Sequence, residues 1–200
     1  PNDTACPPQL KGRVEHYISR DAMNIESLGP ETVDAMFEKG LIADVADLYT
    51  LKIGDLCGYD RSREKSARKI IDGIAASRNV PFDRVLFALG IRFVGKVVAK
   101  TLARHFKSME ALRAASADEL LQVEGVGSVI AQSLCTYFAN EKNLSLVARL
   151  SEAGVQMLLP EEELISDVLS GKSIVISGTF ARHSREEYKA LVEGHGGKNV

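Results

Sequence analysis

Gly125 and Gly127, one residue apart in Val123-Glu124-Gly125-Val126-Gly127-Ser128, could hold an anion without any charged side chain. Glycine permits positive φ and close approach of another molecule. The unpaired amides of a helix that starts directly afterwards carry the positive end of its dipole, an arrangement that suits a phosphate. Two helices must position these glycines. Ser116-Ala117-Asp118-Glu119 has the spacing of a capping box and opens the first, through Leu120, Leu121 and Val123. Val126, Ile130, Leu134 and Phe138, four apart, lie along one face of the second, which is expected to begin near Ser128.

The pattern recurs 32 residues earlier. Val94 matches Val126, Gly95 matches Gly127, Val97 matches Val129, Ala99 matches Ala131, Leu102 matches Leu134 and Phe106 matches Phe138. One further step back, Ala67, Ile70 and Ile74 keep the register, but Arg63 stands where the glycine should be and Gly58-Tyr59 precedes a longer turn. A fourth copy is Leu28-Gly29-Pro30, followed by Val33, Met36 and Phe37, with proline suited to a first helical position. These repeats resemble tandem helix-hairpin-helix motifs, which bind nucleic-acid backbone largely irrespective of sequence. A single Gly-x-Gly would equally suit a helical repeat whose glycines only let helices pack. Two intact copies in register, each followed at once by a helix, favour binding.

The formal net charge of −2 conceals an uneven distribution. Residues 21–60 carry nine acids and two lysines, whereas residues 61–78 carry six bases and two acids. Residues 84–149 carry nine bases and five acids, and residues 150–170 five acids and no base. Positive charge therefore falls on the hairpin segments, as a phosphate-binding surface requires, although a solvated helix face accounts for many such residues. No apolar run approaches the roughly 20 residues of a membrane span, and the first residues lack the organisation of a signal peptide, so a cytoplasmic location is expected. Cys6, Cys57 and Cys135 are odd in number and widely spaced, which fits reduced thiols. Cys57 and Cys135 are expected in the core, and His16 and His105 on helix surfaces.

Three stretches together look like bacterial NAD-dependent DNA ligase: Cys6-Pro7-Pro8-Gln9-Leu10-Lys11, Ser19 to Gly29, and Ala88-Leu89-Gly90-Ile91-Arg92-Phe93-Val94-Gly95. The resemblance runs over the whole chain. It implies a mainly α fold with four helix-hairpin-helix motifs, followed by a truncated α/β segment similar to the start of a BRCT domain. The corresponding divisions are a zinc-finger remnant and connecting helix at 1–23, a DNA-binding domain at 24–155, an acidic linker at 156–170, and the BRCT-like part at 171–200. Cys6 looks like the last of four zinc ligands, with its three partners upstream. The residues implied for DNA contact are Gly29, Lys65, Gly90, Arg92, Gly95, Lys96, Lys100, Gly125, Gly127 and Ser128.

At the C-terminal end, Ser173 to Gly178 is short and rich in β-branched residues and reads as a strand. Ser184-Arg185-Glu186-Glu187 supplies a capping box for a helix ending near Gly194, and Gly196-Gly197 leads toward another strand. In BRCT relatives the Ser177-Gly178-Thr179 strand end can bind phosphate, but a simple turn into a loop is the expectation here. The ligase family attacks NAD through a lysine in Lys-x-Asp-Gly and seals nicks by way of an adenylated enzyme. The sequence has no such motif. By this resemblance it supplies nicked-duplex binding for replication and repair, and the upstream nucleotidyl-transfer domains of the same polypeptide supply the chemistry. NAD, zinc and magnesium belong to the full-length enzyme, with none expected on this stretch and no catalytic residue within it. The alternative is a noncatalytic or nuclease-associated DNA-binding module.

Overall fold

Each hairpin ends in a helix whose inner face continues the core, and in the first, third and fourth the turn passes through a buried apolar residue, Leu28, Val94 or Val126. The computed structural model describes residues 7–58, 63–159, 168–169, 171–178, 184–195 and 197–200, in two units divided between Leu159 and Pro160. In the first unit, α1 (Pro7–Ile18) and α2 (Pro30–Glu38) flank the first hairpin, and α3 (Ile53–Cys57) and α4 (Glu64–Ser77) the second. The third hairpin lies between α5 (Phe82–Ala88) and α6 (Lys96–Phe106). After α7 (Met109–Ala114), the fourth lies between α8 (Ala117–Leu121) and α9 (Ser128–Ala139), and α10 (Glu141–Glu152) closes the helical set.

The 32-residue register holds in the packing. Ala99 and Leu102 of α6 are buried, as are Ala131 and Leu134 of α9 and Ala67, Ile70 and Ile74 of α4. Val14 and Tyr17 of α1 belong to the same core, so this helix is part of the hairpin body. Cys135 is exposed and Cys57 half-buried, contrary to the core position expected of both. Cys135 directly follows the inward Leu134, and one step along a helix turns a side chain by about 100°, out of the apolar stripe. His16 also differs from the expected surface position. It is half-buried, its Nε2 lies 2.9 Å from the Phe87 carbonyl, and its ring meets that of Phe87 edge-on.

Long-range polar contacts tie the first two hairpins to each other and to a later helix. The Tyr49 hydroxyl bonds those of Tyr17 at 2.9 Å and Ser77 at 3.0 Å, and burial raises the pKa of both tyrosines. Arg149 of α10 reaches Asp44 at 2.6 Å and Asp47 at 2.5 Å. Those carboxylates also accept amides of the turn ahead of the 3-10 helix Ala46–Thr50. Beyond α10 the chain becomes a strap. Gln156 donates its amide to the Arg78 carbonyl, Met109 to that of Met157, and Leu159 to that of Lys107. Arg78 Nε in turn donates to the Ala153 carbonyl at 2.7 Å.

The second unit contains β1 (Ser173–Ile174), α11 (Arg185–Gly194) and β2 (Lys198–Asn199). The strands pair in parallel, Ser173 with Lys198 and Ile174 with Asn199, as a strand-helix-strand order demands. The first strand stops at Ile174 instead of running to Gly178. Its partner spans two residues, and nothing among the described residues extends the ladder. The expected capping box is present, with the Ser184 side chain accepting the Glu187 amide. Thr179 lies outside the described residues, and with it part of the Ser177-Gly178-Thr179 strand end.

Candidate nucleic-acid interface

Two kinds of helix start contrast in the hairpin body, beside those of α3, α4 and α5, where Lys52, Arg63 and Pro81 stand at the N-cap. α7, α8 and α10 are capped from within: Ser108, Ser116 and Asn140 accept amides of the first turn through their side-chain oxygens. α2, α6 and α9 begin instead at Gly29, Gly95 and Gly127, which have no side chain to offer. Their first amides are left open. In α6 the amides of Lys96, Val97 and Val98 have no acceptor among the described residues, the first bond being Ala99 to the Gly95 carbonyl at 2.9 Å. In α9 Ser128 and Val129 are open, since Ile130 already bonds Gly127. In α2 only Glu31 is open, because Pro30 has no N–H and Thr32 bonds Gly29. Open donors therefore rank α6 above α9 above α2.

These glycines are not there for φ. Gly29, Gly95 and Gly127 have φ of −102°, −80° and −88° with ψ near 175°, extended backbone open to any residue. A Cβ at any of them would meet nothing within 4 Å. Neither strain nor internal packing accounts for the missing side chain, whereas an approaching phosphate would. Positive φ falls two residues earlier, at Ser27 (68°), Phe93 (66°) and Gly125 (80°). The residue in between, Leu28, Val94 or Val126, is buried. Thus Gly125 has the left-handed conformation expected of it and Gly127 does not. Phe93 holds the same conformation with a bulky side chain, at a cost of about 1 kcal/mol.

The third and fourth hairpins meet. Ser133 Oγ of α9 donates to the Arg92 carbonyl at 2.7 Å, and Phe93, Val129 and Gln132 line one cleft of about 520 Å³. Arg92 is exposed, with its guanidinium 4.9 Å from the Phe93 ring centroid. Gly90 (φ 65°) reverses the chain after α5, with His16 3.6 Å from where its Cβ would stand. Lys96 and Lys100 line a second depression together with Arg20, Arg84, Asp21 and Asp83. Lys96 Nζ lies 2.6 Å from Asp21, and this contact lowers the Asp21 pKa. Arg20 and Arg84 lie far apart in the chain, and the packing of α1 on α5 brings them together, with Arg84 donating to the Arg20 carbonyl.

Lys65 is exposed on the first turn of α4, away from both depressions. That helix starts at Arg63 with φ −90° and ψ −9°, a helical conformation unlike the three glycine starts. Residues 59–62 of the longer turn lie outside the described residues, as does Cys6. Among the described residues no group of three His, Cys, Asp or Glu side chains could hold a metal ion, and no helix is long and apolar enough to cross a membrane.

A family model described as "Helix-hairpin-helix motif" matches residues 84–147, the segment holding the two hairpins with most open amides. Another, "BRCA1 C Terminus (BRCT) domain", matches residues 165–200. Curated proteins named DNA ligase match from end to end. The chain is 61% identical to that of Phocaeicola vulgatus over 201 residues and 57% identical to that of Bacteroides fragilis over 202, covering 100% of this chain in both. The DNA ligase of Parabacteroides distasonis is 53% identical over 201 residues. The chain spans about 30% of the length of these relatives.

Proposed function

We infer, from the membership of this chain in the DNA ligase family and from its open helix starts, that it grips duplex DNA for nick sealing by an NAD-dependent enzyme. The observation that carries this reading is the contrast between self-capped helices and the glycine-started ones at Gly95 and Gly127. Open amides and the helix dipole bind phosphate without reading bases. Lys96, Lys100, Arg20, Arg84 and Arg92 add diffuse charge, which makes affinity salt-dependent. Gly29 and Lys65 take lesser parts, because α2 offers one open amide and α4 begins with a different backbone.

The nucleotidyl transfer is assigned to other domains of the same polypeptide, where a lysine would carry the adenylate and magnesium would accompany it. Zinc is assigned to Cys6 together with cysteines outside this sequence. Cys6 alone is one of about four ligands that a structural zinc needs, so the chain by itself is expected to lose zinc on dialysis, as metal analysis would record. The cytoplasm is the compartment in which such an enzyme would meet its DNA.

The deciding experiment fills the open amides from within. Gly95→Ser and Gly127→Ser place a capping hydroxyl at starts whose backbone accepts it, so melting temperature should hold or rise. Affinity for a nicked duplex should fall several-fold in each variant, more at Gly95. Unchanged affinity in folded variants would mean that these glycines serve packing alone.

A further inference from the structure

We propose that the Phe93 ring is an apolar wedge that packs on deoxyribose in the minor groove of the bound duplex, from the third hairpin alone. The proposal rests on the duplex-binding reading above. Where the three matched hairpins turn left-handed, the fourth uses glycine and the first serine, yet the third carries a phenylalanine at φ 66°. The ring does not repay that conformation by burial: it is 53% exposed and outside the apolar core.

It is presented to solvent on a fixed base. The Arg92 guanidinium sits over it, and the Arg92 carbonyl is held by Ser133 of the neighbouring hairpin. Two more apolar side chains stand in the open, one in the cleft that Phe93 lines and one in the depression of Lys96 and Lys100. Val97 and Val129 are the second residues of α6 and α9, matched in the repeat, and are 79% and 59% exposed. Their own amides are among the open donors. A strand whose phosphate is held by those amides must bring its sugar, the apolar part of its backbone, against these side chains. Sugars of both strands wall the minor groove, which apolar side chains of DNA-binding proteins enter. The 32-residue repeat supplies one valine for each strand, while the register counterpart of Phe93 is Gly125, which has no side chain, so the ring marks one strand only.

Phe93→Gly separates this role from packing, because glycine suits the left-handed turn. The variant should stay folded, with the relieved turn offsetting the lost ring contacts, yet bind a nicked duplex about tenfold more weakly, a reduction of the size that keeping about 55 Å² of apolar surface from water supplies. The slope of log affinity against log salt should stay unchanged, since every cation is retained. Phe93→Tyr should bind like the parent, and Phe93→benzoylphenylalanine should crosslink to the DNA on irradiation. Parent-like affinity of Phe93→Gly would overturn the proposal, and so would a reduced salt slope, or crosslinking to a second protein chain in place of DNA. Gly95→Ser run alongside separates the two readings: if it also binds like the parent, the phosphate grip fails, whereas weakened binding by Gly95→Ser beside an unaffected Phe93→Gly removes the wedge alone.

Discussion

Lys96 shows how one side chain can serve two masters. Its ammonium is paired with Asp21 in the free protein, so a phosphate must displace a carboxylate to gain it. Asp21→Asn removes that competitor and a repelling charge together. Affinity for duplex should rise several-fold at low salt, and converge with the parent as salt screens the difference. The pair also has a pH signature. Lys96 lowers the Asp21 pKa, so the pair supports the fold above the ordinary aspartate range and loses that support as pH falls through the lowered folded value. With both partners mostly exposed, the effect on stability is small. Replacing Lys96 and Lys100 by alanine should weaken binding to unrelated duplexes alike, and reduce the salt slope by about 0.9 for each phosphate that these lysines neutralise.

At the scale of the hairpin, the two glycines of Gly125-Val126-Gly127 have different work. Gly125→Ala puts a Cβ on backbone at φ 80° and should cost about 1 kcal/mol in thermal unfolding. Gly127→Ser should spare the fold and cost affinity. A mirrored outcome would show that the two positions have the opposite roles. This division was not legible in the sequence. The repeat revealed the helices, their inward faces and the capping box at Ser116 and Glu119, because these depend on spacing within a few residues. It could not reveal which residue turns left-handed, since serine, phenylalanine and glycine share that place. Nor could it join Arg20 to Arg84, or seat His16 under Phe87, because those neighbours are made by packing between distant segments.

For the hairpin body as a whole, stability is tied to a few long-range contacts as well as to the apolar core. Arg149 meets two carboxylates that also order the turn at Ala43 to Asp47, so Arg149→Ala removes charge-assisted bonds and loosens that turn. Solvent reaches all three side chains, and the expected cost in a denaturant titration is about 1–2 kcal/mol. Parent-like stability would make the cluster a surface ornament. The second unit differs in kind: among its described residues Ile176 is the only buried apolar side chain, and its two strands span two residues each. A sheet that small needs further strands to be stable in water. Its sequence carried the strand-helix-strand order and the Ser184 cap but overestimated the first strand, because β-branched residues make a strand only where a partner continues the ladder.

The strap from Val155 to Leu159 sets an order of events during synthesis. Its amides and carbonyls join Arg78, at the end of the second hairpin, to Lys107 and Met109, at the end of the third. On a translating ribosome both attachment points emerge well before the segment that ties them together. Each hairpin can form as it appears, since its contacts are local. The nascent body nevertheless lacks this last fastening until Leu159 has cleared the exit tunnel, by which time the residues after Pro160 are already being made.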